Sequence, residues 1–148
     1  TAARFVSALL RGRRGELEPA IGTLAELLTD PVVGRQAAIR LAAMELTAGR
    51  FDDARARLET LLEDDPFDPA VRLVAATLAR DTGDLEGALA HAREARELEP
   101  GLDAAWLLEA ECCALRSERA CAEQALARVG PGTDALVRER ERISALLR

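Results

Sequence analysis

Small and apolar residues return to the same places in this chain every 34 residues. Ala8, Ala42, Ala76 and Ala110 keep the interval, and so do Ala20, Ala54, Ala88 and Ala122. Three further columns follow it: Leu10, Met44, Leu78 and Cys112; Leu24, Leu58, Ala92 and Leu126; and Leu27, Leu61, Ala95 and Val129. The steps from 20 to 24 to 27 within a unit are those of one helix face. Gly15, Gly49 and Gly83 share the register at the point where the first helix of each unit must stop, a place that favours the left-handed backbone glycine adopts freely. Pro66 and Pro100 end the second helices, and Pro31 comes one residue early in the same pattern. Each unit therefore reads as helix, tight turn, helix, and such hairpins bury their apolar faces only against neighbours. The pattern predicts an all-α fold, a right-handed α-solenoid of four antiparallel hairpins (1–34, 35–68, 69–102, 103–130) and a C-terminal capping helix over 133–148, in one domain spanning 1–148. Ser117 replaces the turn glycine in the fourth unit, which leaves that turn less well specified, and Asp134 is the expected cap of the terminal helix.

Small residues at positions 8 and 20, a large apolar residue at 24 and proline at 32 together resemble the tetratricopeptide repeat. The stretch AIRLAAMELTAGRFDDARARLETLLEDDP (38–66) carries the resemblance best, with Leu41, Ala42, Gly49, Ala54, Leu58 and Pro66 in place, and Trp106 stands where the family often has tryptophan. Position 11, often Tyr in that family, is Arg11, Glu45, Ala79 and Cys113 here. The resemblance covers about residues 1–130. It implies a binding scaffold and does not name a ligand.

In stacks of this kind the first helix of each hairpin lines the concave face. The candidate partner-binding residues are therefore Phe5, Ile39, Leu73 and Leu107 at position 5, Leu9, Ala43, Thr77 and Glu111 at position 9, and Gln36, Arg40 and Arg80 beside them. An apolar stripe edged by a few charges suits an amphipathic helix or an extended peptide. The same position-5 residues also suit packing against the neighbouring unit. Family members that grip the C-terminal carboxylate of heat-shock chaperones have Lys at position 5 and Asn at 9 and 6; Phe5, Leu9 and Arg40 stand in the first two units here, with Ala70 and Val74 in the third, so a chaperone clamp is not expected.

Composition sharpens this picture in three ways. Hydrophobic residues make up 49% of the 148 but aromatics only 3%, so the interior must be built from Ala, Leu and Val, which lets helices approach closely. The net charge of −6 argues against a general phosphate-backbone binder. Residues 51–100 carry 6 Arg against 13 Asp and Glu, and the arginines of the terminal stretch (Arg138, Arg140, Arg142) alternate with Glu139 and Glu141, as on a solvated helix face. A second arginine group, Arg11, Arg13 and Arg14, lies at the first turn. No nucleic-acid partner is expected, and a helical-repeat RNA binder is the weakest of the readings kept open.

Catalytic, cofactor and metal sites are not expected either. His91 is the one histidine, with no nucleophile and acid in a triad pattern around it. Cys112, Cys113 and Cys121 form no secreted disulfide framework and fit a reducing compartment; Cys113 and Cys121 flank one turn, which keeps a redox pair open, and small buried hydrophobes are the preferred reading of all three. A structural zinc wants four ligands, which three cysteines and a distant His91 do not supply. The expectation is a non-enzymatic, cytoplasmic protein–protein interaction scaffold without cofactor, free of membrane insertion, with a non-catalytic accessory domain of a larger enzyme as the alternative.

Overall fold

The computed structural model describes residues 1–148 and contains helices only: α1 (Ala2–Arg13), α2 (Leu17–Glu26), α3 (Gly34–Thr47), α4 (Phe51–Asp64), α5 (Pro69–Asp81), α6 (Leu85–Leu98), α7 (Asp103–Leu115), α8 (Arg119–Ala127) and α9 (Asp134–Ala145). They form two compact units, Thr1–Pro66 and Phe67–Arg148. The first holds the hairpins α1–α2 and α3–α4, the second α5–α6 and α7–α8 with α9 packed on α7.

Every alanine at positions 8 and 20 is fully buried, at 0% exposure in all eight cases. A methyl group is the largest side chain that lets two helices of a hairpin lie this close, so these columns set the spacing on which the larger residues pack. In the first unit Ala8, Ile21, Leu24, Leu27, Val33, Ala37 and Leu41 make a core around that contact. In the second, Ala76, Ala88, Leu89, Ala92, Leu108, Cys112 and Ala122 do the same. The column at position 10 is less uniform than the pattern predicts: Leu78 and Cys112 are buried, Met44 is half-buried and Leu10 is exposed. The difference follows from neighbours. α1 packs chiefly on α2 and α3, whereas α7 lies against α5, α6, α8 and α9 and has nine of its thirteen residues buried.

All four hairpin turns are built alike. Gly15, Gly49, Gly83 and Ser117 have φ of 82°, 78°, 86° and 61°. At each, the turn residue's N–H donates to the carbonyl three residues back (Gly12, Leu46, Arg80, Ala114) and the next N–H to the carbonyl five back (Arg11, Glu45, Ala79, Cys113). This paired termination satisfies carbonyls that the helix end leaves open and requires the left-handed residue between them. Ser117 thus keeps the geometry despite a side chain that disfavours it. The terminal helix is capped one residue earlier than the pattern predicts: the Thr133 hydroxyl accepts from the Leu136 N–H, and Asp134 occupies the first turn, where its charge favours the helix dipole.

Candidate functional site

Six of the eight residues singled out at positions 5 and 9 line two clefts, one in each compact unit, and Phe5 and Ile39 line neither. In the first, Leu9, Gly12, Arg13, Leu17, Arg40, Ala43, Met44 and Thr47 surround about 270 Å³. In the second, Leu73, Thr77, Arg80, Leu107 and Glu111 line about 210 Å³ together with Ala104, Leu108 and Glu139. The first helices α1, α3, α5 and α7 supply almost all of this lining. Ala43 and Thr77 are half-buried, and Gln36 and Arg40 are exposed. Ile39 and Leu107, by contrast, are 4% and 7% exposed, and Leu107 packs with Ala110, Ala125, Leu126, Val129 and Ile143. Phe5 lies half-buried against the first unit's core and Leu73 against the second's. Ile39 is thus a packing residue, whereas Leu107 both packs in that core and reaches the wall of the second cleft; an aspartate at position 39 would meet a buried site before it met a ligand.

Charge in the second cleft is arranged as a chain. Arg80 donates to Glu111 at 2.9 Å and pairs with Asp81 at 3.0 Å, Glu111 also accepts from Arg142 at 3.1 Å, and Arg142 pairs with Glu139 on its own helix. Burial works against the Arg80 charge, yet Glu111 and Asp81 hold its pKa above the ordinary value. Hydrogen bonding from Arg142 keeps the Glu139 carboxyl below its own. Arg142 lies exposed on α9, as the pattern of the sequence predicts, and its guanidinium also reaches Glu111 in the cleft wall.

Two buried carboxylates escaped the reading of the sequence. Glu45 accepts from Arg57 through both oxygens, at 2.8 and 3.2 Å. Glu109 bridges Arg93 at 3.0 Å and Arg96 at 2.6 Å. The second cluster opens on a cleft of about 680 Å³, bounded by Arg93, Arg96, Trp106, Glu109, Cys121 and Arg128 among others. The Arg96 guanidinium lies 4.4 Å from the Trp106 ring centroid and that of Arg128 5.5 Å, while the indole N–H donates to the Pro100 carbonyl. The arginine spacing along α6, one turn apart and facing the chain's single tryptophan, was the available signal.

The cysteines correct the sequence reading. Cys113 and Cys121 are joined in a disulfide with a Cα–Cα distance of 5.8 Å, which ties the end of α7 to the start of α8; only Cys112 remains a buried free thiol. Burial, with Glu111 nearby, pushes the Cys112 thiol up to about 11, so it stays protonated and inert. Ligand atoms of Cys113, Glu118 and Cys121 lie within 4.8 Å of one another, but the two sulfurs are committed to their mutual bond and a fourth ligand would still be needed for zinc.

His91 is half-buried on α6, with Nδ1 3.3 Å from the Arg72 guanidinium, which itself pairs with Glu94. Burial first, and Arg72 second, hold its pKa below the ordinary 6.5. Above that value the imidazole is neutral in both folded and unfolded chains and contributes no pH dependence. Below it the unfolded chain takes the proton first, so stability should fall as pH drops from 6.5 toward the lower folded-state value. Urea midpoints of the wild type and His91→Gln, compared at neutral and mildly acidic pH, check this: the substitution should remove part of the acid-side slope, and identical slopes would rule it out.

No helix is long and apolar enough to cross a membrane. No functionally curated protein matches the sequence. Among solved structures, a thermophilic TPR protein from Thermus thermophilus superposes with a TM-score of 0.78 at 19% identity, covering 99% of this chain and 78% of the other. MamA from Desulfovibrio magneticus gives a TM-score of 0.70 at 16% identity over 94% of this chain and 74% of that one. A tetratricopeptide repeat protein from Parabacteroides merdae gives 0.70 at 16%, covering 99% and 58%. These likenesses show the fold, an α-solenoid of helical repeats. The tetratricopeptide repeat model matches residues 5–69 and again 39–103, two overlapping windows displaced by one repeat, and the chain belongs to the tetratricopeptide-repeat family.

Proposed function

We propose that the chain is a protein–protein interaction scaffold whose first helices receive a peptide or helix of a partner. Tetratricopeptide-repeat proteins are generally non-catalytic scaffolds. The observation that carries the reading is the pair of clefts, each with an apolar floor (Leu9 and Met44 in one, Leu73 and Leu108 in the other) and a charged or hydroxylic edge (Arg40 and Thr47, Arg80 and Thr77). Floors of that kind take one or two apolar anchors from a partner, and anchors buried in small pockets supply most of the affinity in such contacts.

Photo-crosslinking side chains placed at Ala43 and Thr77, both half-buried in the clefts, should capture one and the same polypeptide from the source cells. The same probes at the exposed positions Glu59 and Ala90, on second helices, should not. In parallel, Leu9→Asp should weaken recovery of that polypeptide by roughly tenfold or more, the range of an anchor residue, while circular dichroism remains helical. Equal capture from Glu59 and Ala90, or capture of RNA in place of protein, would overturn the proposal.

A further inference from the structure

The cleft of about 680 Å³ between α6, α7 and α8 has a chemistry that peptide binding does not use. Three guanidinium groups, those of Arg93, Arg96 and Arg128, face a single carboxylate, and no second acidic side chain lines the space. Glu109, with a side chain 7% exposed, is already committed to Arg93 and Arg96. Arg128 rests over Trp106. The cleft is therefore positively charged within a chain of net charge −6. Its wall also contains a sulfur. Cys121 is half-buried and lines the cleft, its disulfide partner Cys113 is fully buried, and the Arg93 guanidinium nitrogen lies 3.6 Å from the Cys121 Sγ.

We propose that this cleft docks an anionic low-molecular-weight thiol or its disulfide, with Cys121 the entry sulfur and Cys113 the resolving one. Arg128 and Arg96 receive the carboxylates of the incoming molecule, which directs its sulfur to Cys121. Access fixes the order of events, because Cys113 has no exposed surface. Starting from the dithiol, the Cys121 thiolate attacks one sulfur of the small disulfide; a Cys121–S bond forms, the small S–S bond breaks, and one small thiolate leaves and is protonated from water. Cys113 then releases its proton, attacks the Cys121 Sγ and displaces the second small thiolate. The protein dithiol is oxidised by two electrons to the Cys113–Cys121 disulfide, and the small disulfide is reduced to two thiols. The reverse sequence, begun by a small thiolate at Cys121, reopens the bond. Arg93 places positive charge beside the sulfur that carries negative charge in the attack. Cys112, buried and paired with no other thiol, takes no part.

Oxidised glutathione and the neutral disulfide of 2-mercaptoethanol are the probes. With the full chain carrying Cys113→Ser, mass spectrometry should find one glutathione, on Cys121, formed roughly tenfold faster than the neutral adduct after correction for intrinsic reactivity, the low end of electrostatic focusing. Adding Arg128→Glu should remove that preference, slowing the glutathione adduct by more than the neutral one. Because Cys113→Ser alters a buried site, the same comparison is made on the reduced wild type by alkylation at timed intervals: closure of the Cys113–Cys121 bond by glutathione should slow with Arg128→Glu alone. Equal rates for the two probes, insensitivity to Arg128→Glu, or an adduct on Cys112 would overturn the proposal.

Discussion

Arg57→Ala is expected to destabilise the chain by about 3 kcal/mol, the low end of the cost of stranding one member of a buried ion pair. The Glu45 side chain is 5% exposed, and both of its oxygens are satisfied by the one guanidinium of Arg57. Alanine at 57 leaves the carboxylate in place without its cation or its two hydrogen bonds, and water has little access to replace them. The loss belongs to the orphaned charge rather than to the pair, so removing both charges should undo most of it. Glu45→Leu with Arg57→Leu, which fills the space with apolar side chains, should recover to within about 1 kcal/mol of the wild type, as replaced buried pairs commonly do. Urea denaturation of the two variants checks this; a double variant as unstable as Arg57→Ala would mean that packing, and not the stranded charge, set the cost.

Leucine at position 20 should be nearly as damaging. Ala54 and Ala88 are both at 0% exposure where the two helices of a hairpin meet. Three added carbon atoms have no space to enter, so the helices must separate or the side chain must leave its rotamer, at about 1–3 kcal/mol for either Ala54→Leu or Ala88→Leu. The controls lie two residues further along the same helices. Ala56 and Ala90 are exposed, and leucine there should change stability by no more than about 0.5 kcal/mol. Thermal melts of the four variants decide it, since leucine tolerated equally at all four positions would contradict the packing.

Much of the fold was legible because the features that define it are imposed on the backbone and recur. A left-handed turn residue, a methyl-sized contact and a helix stop are required in every hairpin, so Gly15, Gly49 and Gly83 and the alanine columns repeat in register. Ser117 shows the limit of reading residue types: the turn is kept by its hydrogen bonds, although the glycine is gone. What could not be read are contacts made once. Position 11 holds Glu45 in one hairpin, answered by Arg57, and Cys113 in another, answered by Cys121. The same place beside the turn is filled by an ion pair in the first case and a covalent bond in the second, and no column relates them. Gly34 is a further example. It opens α3 with the position of a Cβ only 2.6 Å from the Leu28 carbonyl oxygen, a close approach outside the repeat pattern. For the candidate site, five of the residues the sequence grouped, Leu73, Thr77, Arg80, Leu107 and Glu111, do meet at one cleft. It could not separate cleft wall from core, because an apolar residue on a first helix serves either role, and only neighbours decide that Ile39 is covered.

The ion chain through Arg80, Glu111, Arg142 and Glu139 has a consequence for what the second cleft can distinguish. A wall whose charges are already matched by one another exerts little net pull on a visitor of either sign. Discrimination along it must come from the spacing of a partner's methyl and methylene groups, which either fall over Leu73 and Leu108 or miss them. A binding segment could therefore drift in charge over evolutionary time and still be accepted, whereas the insertion of a single residue between its anchors would put it out of step.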